Sequence, residues 1–321
     1  MASSYRKIDY RLRPGKAVER RMIAEYFLRL RAFGAVEDYK YVGFGSVYFS
    51  DFSLFNILCG FKEMVSIEST QDPTIQERFR FNAPLGSIDI QFGHSNVVLP
   101  SLDWQRKVAV WMDYDGTLEK SVLTDISYLA ATVTSQSIIL VSVNGELADT
   151  DEGKLSKLEV LTGRIGPEKV PPQFQNAHNV PAKDIPALYR EIFTSEIQAA
   201  LNKRNAGKDD EAECMRAEQV AFFKYSDGVE MLTLGWVFFL EKERDTFNHC
   251  GFSSLPHSRV GDETFKIEIP LMTNAEIREL NRCRMINGRL DTKAVPVPAS
   301  EIKKYVSLNR FWPVLQIPEM T

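Results

Sequence analysis

Two aspartates separated by one residue follow an apolar run in the stretch "VWMDYDGTL", which covers residues 110–118. Asp113 directly follows the run, and Asp115 precedes a glycine that favours a turn. Such a pair suits two chemistries. With a magnesium ion, Asp113 could attack a phosphoryl group while Asp115 acts as acid and base. Without a metal, either carboxylate could take a proton from an oxygen or nitrogen nucleophile, or orient it.

A second group of residues has the pattern of a nucleotide-binding crevice. Residues 39–42 predict a short strand, and the Gly-Phe-Gly-Ser sequence at 43–46 predicts the tight turn after it. The glycines allow a ligand close to the backbone, and the helix that follows would point its amino end at the same place. Glu68 ends the next predicted strand, where a carboxylate can accept hydrogen bonds from ribose hydroxyls. The alternative is a plain turn and a surface acid.

Predicted strands alternate with helices in the first half of the chain. The further strands are expected at residues 64–69, 87–93, 108–113 and 137–145. This alternation predicts an α/β fold with a Rossmann-like, doubly wound parallel sheet. Residues 219–240 predict a β-hairpin that turns at Ser226-Asp227-Gly228.

The opening segment predicts an amphipathic helix that starts near Pro14 and stops at Gly34. Its apolar stripe has four-residue spacing and consists of Val18, Met22, Tyr26 and Leu30. Lys16, Glu19 and Arg20 are spaced to share a face. They could contact a substrate or the carboxylate of a cofactor, and a surface salt-bridge face is the alternative.

Composition excludes several classes of protein. The chain has 321 residues, 44% of them hydrophobic and 26% charged, with a net charge of -4. This balance is ordinary for a globular protein and argues against a general nucleic-acid binder. Nine Lys and Arg residues among the first 33 could nevertheless meet an anionic substrate. The four cysteines do not have the spacing of a metal site, and the sequence shows no membrane-spanning or signal segment. We therefore expect a cytoplasmic protein without a membrane partner.

The order of these motifs resembles the class I S-adenosylmethionine-dependent methyltransferases. The resemblance covers about residues 38–145 and returns at the hairpin, which looks like the antiparallel sixth and seventh strands of that fold. It implies S-adenosylmethionine as the cofactor and methyl transfer to an oxygen or nitrogen. The residues implied at the cofactor are Gly43, Phe44, Gly45, Ser46, Glu68, Ser69, His94, Ser95 and Asp113. The residues implied in catalysis are Asp113, Asp115 and Asn144.

The chain departs from that family at two positions. Tyr41 stands where an acid often holds the amino group of the cofactor, and His94 stands where an acid is usual near the adenine. A non-catalytic cofactor-binding module within a larger complex is therefore one alternative. The metal-dependent catechol-type O-methyltransferases are also similar, but Val143 replaces one of their three metal ligands. Magnesium is thus possible but not supported, and no metal ligands are assigned.

The other alternative is a magnesium-dependent phosphatase of the haloacid-dehalogenase type, to which the Asp-x-Asp-Gly-Thr string is similar. It would use Asp113 and Asp115, with Ser142 holding phosphate and Asp262 helping to bind the metal. An antiparallel seventh strand at the sheet edge would instead indicate a methyltransferase. The sequence leaves open the methyl acceptor, a small molecule or a nucleic acid, and the oligomeric state.

Five segments are expected from these patterns. Residues 1–37 form a basic helical segment, 38–145 the cofactor-binding core, and 146–218 a polar, partly helical insertion. Residues 219–240 form the hairpin that completes the sheet. Residues 241–321 form a carboxyl-terminal helical region that, with the insertion, shapes the substrate pocket.

Overall fold

The computed structural model describes residues 13–84, 86, 88–147, 155–175, 180–283, 285–286, 289–290 and 295–312. Within these ranges the main sheet has eight strands. They are β1 (Lys40–Gly43), β2 (Glu63–Glu68), β3 (Ile88–Phe92), β4 (Val108–Thr117), β5 (Ser137–Asn144), β6 (Met215–Ser226), β7 (Glu230–Leu240) and β8 (Phe265–Ile267). A separate two-stranded sheet pairs β9 (Met285–Ile286) with β10 (Arg289–Leu290).

Helices of very different length connect and cover the strands. Those that the structure describes are α1 (Pro14–Arg29), α2 (Ser50–Cys59), α3 (Pro73–Asn82), α4 (Ser95–Val98), α5 (Lys120–Thr132), α6 (Lys157–Ile165), α7 (Pro172–Gln175), α8 (Ile185–Asn205), α9 (Arg244–Cys250), α10 (Asn274–Arg282) and α11 (Ala299–Leu308). None of these helices is both long enough and apolar enough to cross a membrane.

The strand order of the main sheet is β3-β2-β1-β4-β5-β7-β6-β8. The first five strands in this order are parallel, whereas β7 runs antiparallel to both β5 and β6. The predicted doubly wound sheet and antiparallel hairpin are therefore confirmed. One detail of the expectation is wrong: β7 lies inside the sheet, because β6 and the unexpected strand β8 lie beyond it. With three residues, β8 was too short to give a strand pattern in the sequence.

Each face of the sheet carries its own hydrophobic core. Helices α5, α6 and α8 pack on one face, through residues such as Leu129, Leu161 and Ile192. Helices α1, α2 and α9 pack on the other face, with Phe27 and Phe55 in contact with Tyr41 of β1. The four residues of the predicted α1 stripe are all fully buried in this second core, which confirms that prediction.

Helix α1 is joined to the turn of the hairpin at its amino end. Its N-cap residue, Arg13, provides no side-chain cap. Instead, the Asp227 carboxylate accepts hydrogen bonds from the backbone N–H groups of Gly15, at 3.0 Å, and Lys16, at 2.9 Å. A carboxylate here also complements the positive end of the helix dipole. This contact between residues far apart in the sequence fixes where the first turn of α1 lies over the sheet.

Strand β4 is longer than the sequence predicted. Asp113 pairs with Ser142 of β5, but the next pair joins Thr117 to Asn144, so four steps on β4 span two on β5. The expectation that Asp113 ends the strand is thus wrong, and a bulge follows it. The bulge leaves Asp115 exposed. Asp115 is also not the cap of α5, because the N-cap residue is Glu119.

Candidate active site

The predicted crevice residues meet at the carboxyl ends of the parallel strands. Glu68 ends β2, and its Oε1 accepts hydrogen bonds from the backbone N–H of Gly45, at 2.8 Å, and from the Ser66 hydroxyl, at 2.7 Å. The turn after β1 is therefore attached directly to the acid at the end of β2. The interpretation of Glu68 as a surface acid is wrong, because only 8% of the residue is exposed.

Burial raises the pKa of Glu68 to about 7, although hydrogen bonds from Ser66, Gly45 and Ser46 oppose the shift. Desolvation disfavours the charged form of a carboxyl group, whereas donors favour it. Glu68 therefore changes its charge near neutral pH. Its ionised form accepts hydrogen bonds only, as an acid that binds hydroxyl groups must.

The glycine turn is shaped by neighbouring protein atoms. A Cβ on Gly45 would lie 2.6 Å from Ser66 Oγ and 2.7 Å from the Phe49 ring. The left-handed conformations of this loop occur at Ser46, with φ 49°, and at Phe49, with φ 47°, both of which are non-glycine residues. Strain of this kind is common at ligand sites. Phe44 packs edge-on against Tyr114, with ring centroids 5.2 Å apart.

The turn after β3 lies next to Glu68, because the Gly93 N–H donates to the Glu68 carbonyl at 2.9 Å. His94 is exposed, as is Ser69 after β2. The Ser95 hydroxyl is bonded to Asp125 of α5, which also accepts from the Tyr114 hydroxyl at 2.7 Å. No local pattern marks Asp125, a buried acid that joins the turn after β3 to the bulge of β4.

Asp113 is held by the first helix. Its Oδ1 lies 2.6 Å from Lys16 Nζ, and the same ammonium lies 2.8 Å from Glu19 Oε2. Lys16 Nζ also lies 4.1 Å from the centre of the Trp111 ring. The alternative of a surface salt-bridge face on α1 is therefore wrong: Lys16 and Glu19 are fully buried and Arg20 is 7% exposed.

A second buried ion pair lies beside this group of side chains. Arg20 forms an ion pair with Asp51, which lies in the first turn of α2. Asp51 is not the cap of that helix, because the N-cap position belongs to Phe49. Asn144, at the end of β5, accepts from the Glu146 N–H at 2.8 Å. It occupies the same edge of the sheet as Asp113.

The residues that a phosphatase would need are engaged elsewhere. Ser142 is fully buried and accepts a hydrogen bond from Trp111 Nε1 at 2.9 Å. Asp262 pairs with Arg190 at 2.7 Å. Among the described residues there is no group of three or more His, Cys, Asp and Glu side chains that could hold a metal ion. A cation at Asp113 would also lie beside the Lys16 ammonium.

The described residues also line a cavity of about 340 Å³ at the opposite end of the sheet, where β6 begins. Its charged side chains pair with one another: Arg216 with Glu241 at 2.7 Å, and Arg244 with Glu218 at 3.0 Å. Ligands of open parallel sheets bind outside the carboxyl ends of the strands. The strand ends near Glu68 and Asp113 are therefore the better candidate site.

Several solved methyltransferase structures are similar to this chain at low identity. The B. subtilis tRNA methyltransferase TrmK is 9% identical, with 67% of each chain covered and a TM-score of 0.36. The Methanococcus jannaschii fibrillarin pre-rRNA processing protein is 10% identical, with 62% of this chain and 67% of that chain covered and a TM-score of 0.34. Human N-acetylserotonin methyltransferase, in complex with SAM, is 12% identical, with 70% of this chain and 51% of that chain covered and a TM-score of 0.34.

No curated protein matches the sequence. A family model with the description "Putative O-methyltransferase" matches residues 8–320, nearly the whole chain. This match agrees with the antiparallel β7 of the sheet, and together they confirm the S-adenosylmethionine-dependent methyltransferase that the sequence predicted. The phosphatase alternative is wrong. The chain belongs to the family described as "Putative O-methyltransferase".

Proposed function

We propose that this protein transfers a methyl group to an oxygen atom of its acceptor, in the crevice at the carboxyl ends of β1, β2 and β4. The observation that carries the proposal is the hydrogen bond from Gly45 N–H to the Glu68 carboxylate. This hydrogen bond places an acid whose charge changes near neutral pH beside a turn that a nucleoside can approach. The family description favours oxygen over nitrogen as the acceptor atom.

Glu68 is the main candidate for holding the cofactor. Its ionised carboxylate would accept the ribose hydroxyls, while the turn formed by Gly43, Phe44, Gly45 and Ser46 lies against the same group. Ser69, His94 and Ser95 are the proposed surroundings of the adenine. S-adenosylmethionine supplies an electrophilic methyl group on a sulfonium ion, so the protein needs mainly to bind and align the two reactants.

Asp113 is proposed to orient the acceptor. Its Oδ1 accepts from the Lys16 ammonium, which holds the carboxylate in place to accept a hydrogen bond from the acceptor. Asp115 and Asn144 lie farther along the same edge and would contact the acceptor. We assign the insertion 146–218 and the region 241–321 to the walls of the acceptor pocket. The acceptor would be a small molecule or a nucleic acid. We place the reaction in a reducing cytoplasm, because all four cysteines are free thiols.

Ultraviolet cross-linking with methyl-tritiated S-adenosylmethionine tests this location. We expect label in peptides that contain the 43–46 turn, Glu68 or Asp113, and competition by S-adenosylhomocysteine. Label confined to peptides from β6 and α9, around the cavity at the other end of the sheet, would contradict the proposal. At a saturating cofactor concentration, Asp113→Asn should still be labelled in the peptides that contain the 43–46 turn and Glu68. With any accepted substrate, this variant should turn over at least about tenfold more slowly.

A further inference from the structure

Two buried carboxylates share one ammonium group at the edge of the proposed crevice. Lys16 contacts both Glu19 and Asp113, within 2.8 Å and 2.6 Å. The adjacent ion pair of Arg20 and Asp51 has no net charge. It therefore does not balance the second carboxylate beside Lys16. With all five groups ionised, this network carries one negative charge in excess. A buried excess charge is costly unless a proton or a cationic ligand balances it.

The two acids differ in their access to a ligand. The Glu19 side chain is fully buried, whereas 13% of the Asp113 side chain is exposed. Asp113, which is partly exposed, can meet a ligand directly. Glu19 can influence that ligand only through Lys16 and Asp113.

A chain of hydrogen bonds fixes Glu19 in position. Trp111 Nε1 can only donate, and it donates to Ser142 Oγ at 2.9 Å. Ser142 Oγ lies 2.6 Å from Thr233 Oγ1, and the Thr233 hydroxyl donates to Glu19. The donors on β4, β5 and β7 thus all point toward the same carboxylate. Glutamine at position 19 could still accept from Thr233, which makes a clean test of charge possible.

The surroundings of Glu19 favour a proton on this acid in the free protein. Burial raises the pKa of Glu19, Lys16 opposes the shift, and Asp113 adds to it. The charged and titratable groups that face it come from α1, α2, β4 and β6 and are Lys16, Arg20, Asp51, Asp113 and Tyr225. The Asp227 carboxylate caps α1 and pairs with Arg13.

We propose that Glu19 is a positioning residue that becomes ionised behind Asp113 when the cationic cofactor binds, so that the crevice prefers this cofactor over its neutral product. This inference rests on the proposed function. S-adenosylmethionine carries a sulfonium charge that S-adenosylhomocysteine lacks. Binding of the cofactor releases the Glu19 proton to solvent, and the proton returns when the sulfonium charge is lost. Because Glu19 is protonated again once the sulfonium charge is lost, the affinity for S-adenosylhomocysteine is lower than that for S-adenosylmethionine.

Calorimetric titration of the whole protein tests the inference with three ligands. S-adenosylmethionine and sinefungin are cationic at the reacting centre, and S-adenosylhomocysteine is not. We expect Glu19→Gln to weaken the two cationic ligands by about tenfold and to leave the neutral one nearly unchanged. Glu77→Gln makes the same charge change on the exposed side of α3 and should leave all three affinities unchanged.

The pH dependence provides a second readout that needs no variant. As pH rises above 4.5, the ordinary pKa of a glutamate, the wild-type preference for the cationic ligands should rise, and in Glu19→Gln it should be flat. Glu68 affects all three ligands equally, so the ratio of affinities isolates the sulfonium charge. Equal effects of Glu19→Gln on cationic and neutral ligands, or a wild-type preference independent of pH, would overturn the inference alone. Failure of the wild type to bind any of the three would overturn the proposed function as well.

Discussion

Glu68 makes a prediction about stability that does not depend on any ligand. Its pKa rises from 4.5 to about 7 in the folded protein, mainly because the carboxyl group is buried. A raised pKa means that the folded state binds the proton more tightly than the unfolded state does. The stabilisation from this proton is therefore fully present below about pH 4.5 and is lost as pH rises through about 7.

The size of the effect follows from the shift. A change from 4.5 to about 7, at 1.36 kcal/mol per unit, corresponds to about 3 kcal/mol of unfolding free energy. Glu68→Gln removes the titration and keeps an oxygen that can accept from Gly45 and Ser66. Relative to the wild type, this variant should gain about 3 kcal/mol between pH 4 and pH 8.

Urea denaturation of both proteins across this pH range measures the effect, because titrations shared by the two proteins cancel in the difference. The midpoints should lie close together at the acidic end and separate in favour of Glu68→Gln as pH rises. A difference that does not change with pH would refute the reasoning, since it would mean that Glu68 titrates normally in the folded protein.

Three further substitutions test the elements that position the site. Lys16→Met leaves two buried carboxylates without their cation and should cost about 3–5 kcal/mol of unfolding free energy by urea denaturation; a loss below 1 kcal/mol would mean that the ion pairs are solvated. Gly45→Ala should cost about 1–3 kcal/mol, because the new methyl group would meet Ser66 Oγ, whereas Gly116→Ala faces open space and serves as the control. Equal midpoints for these two alanine variants would contradict the described packing. Asp227→Ala removes the cap of α1 and should lower the melting temperature by an amount that corresponds to about 1 kcal/mol; an unchanged melting temperature would show that another group satisfies the helix end.

The sequence predicted the fold well where local patterns match the final structure. Alternating strands and helices gave the parallel sheet, and the Ser226-Asp227-Gly228 turn gave the hairpin. Helix α3 begins at a local signal, because the Asp72 side chain accepts from the N–H groups of Thr74 and Ile75. Helix α2 ends at another, Gly60, in the left-handed conformation with φ 75°. Such signals are contained in a few consecutive residues.

The sequence failed where residues far apart in the chain meet. Lys16 and Asp113 are 97 positions apart, and no local pattern could reveal that α1 lies with its first turn against β4. Asp is a common helix cap, but Asp51 instead forms a buried ion pair with Arg20, which lies 31 positions earlier in the chain. Asp227 looked like an ordinary turn residue, although it caps a helix more than 200 positions away.

The bulge in β4 was also beyond local reasoning. Asp and Gly at 115 and 116 favour a turn, and the sequence therefore suggested that the strand ended at Asp113. Pairing of Thr117 with Asn144 resumes the strand after the irregularity. This arrangement depends on β5, whose register the local pattern of β4 does not encode. The bulge separates the buried acid that Lys16 holds from the exposed one.

In the proposed mode of binding, the carboxyl end of β2 binds the nucleoside of the cofactor through Glu68. Titration of S-adenosylhomocysteine into the wild type and into Glu68→Gln at pH 8 tests it most directly, because at this pH the wild-type acid is ionised and the variant is the more stable protein. We expect binding by the wild type and a loss of about 2 kcal/mol, or roughly thirtyfold in affinity, in the variant. Equal affinities for the two proteins, or no binding by the wild type, would contradict the account.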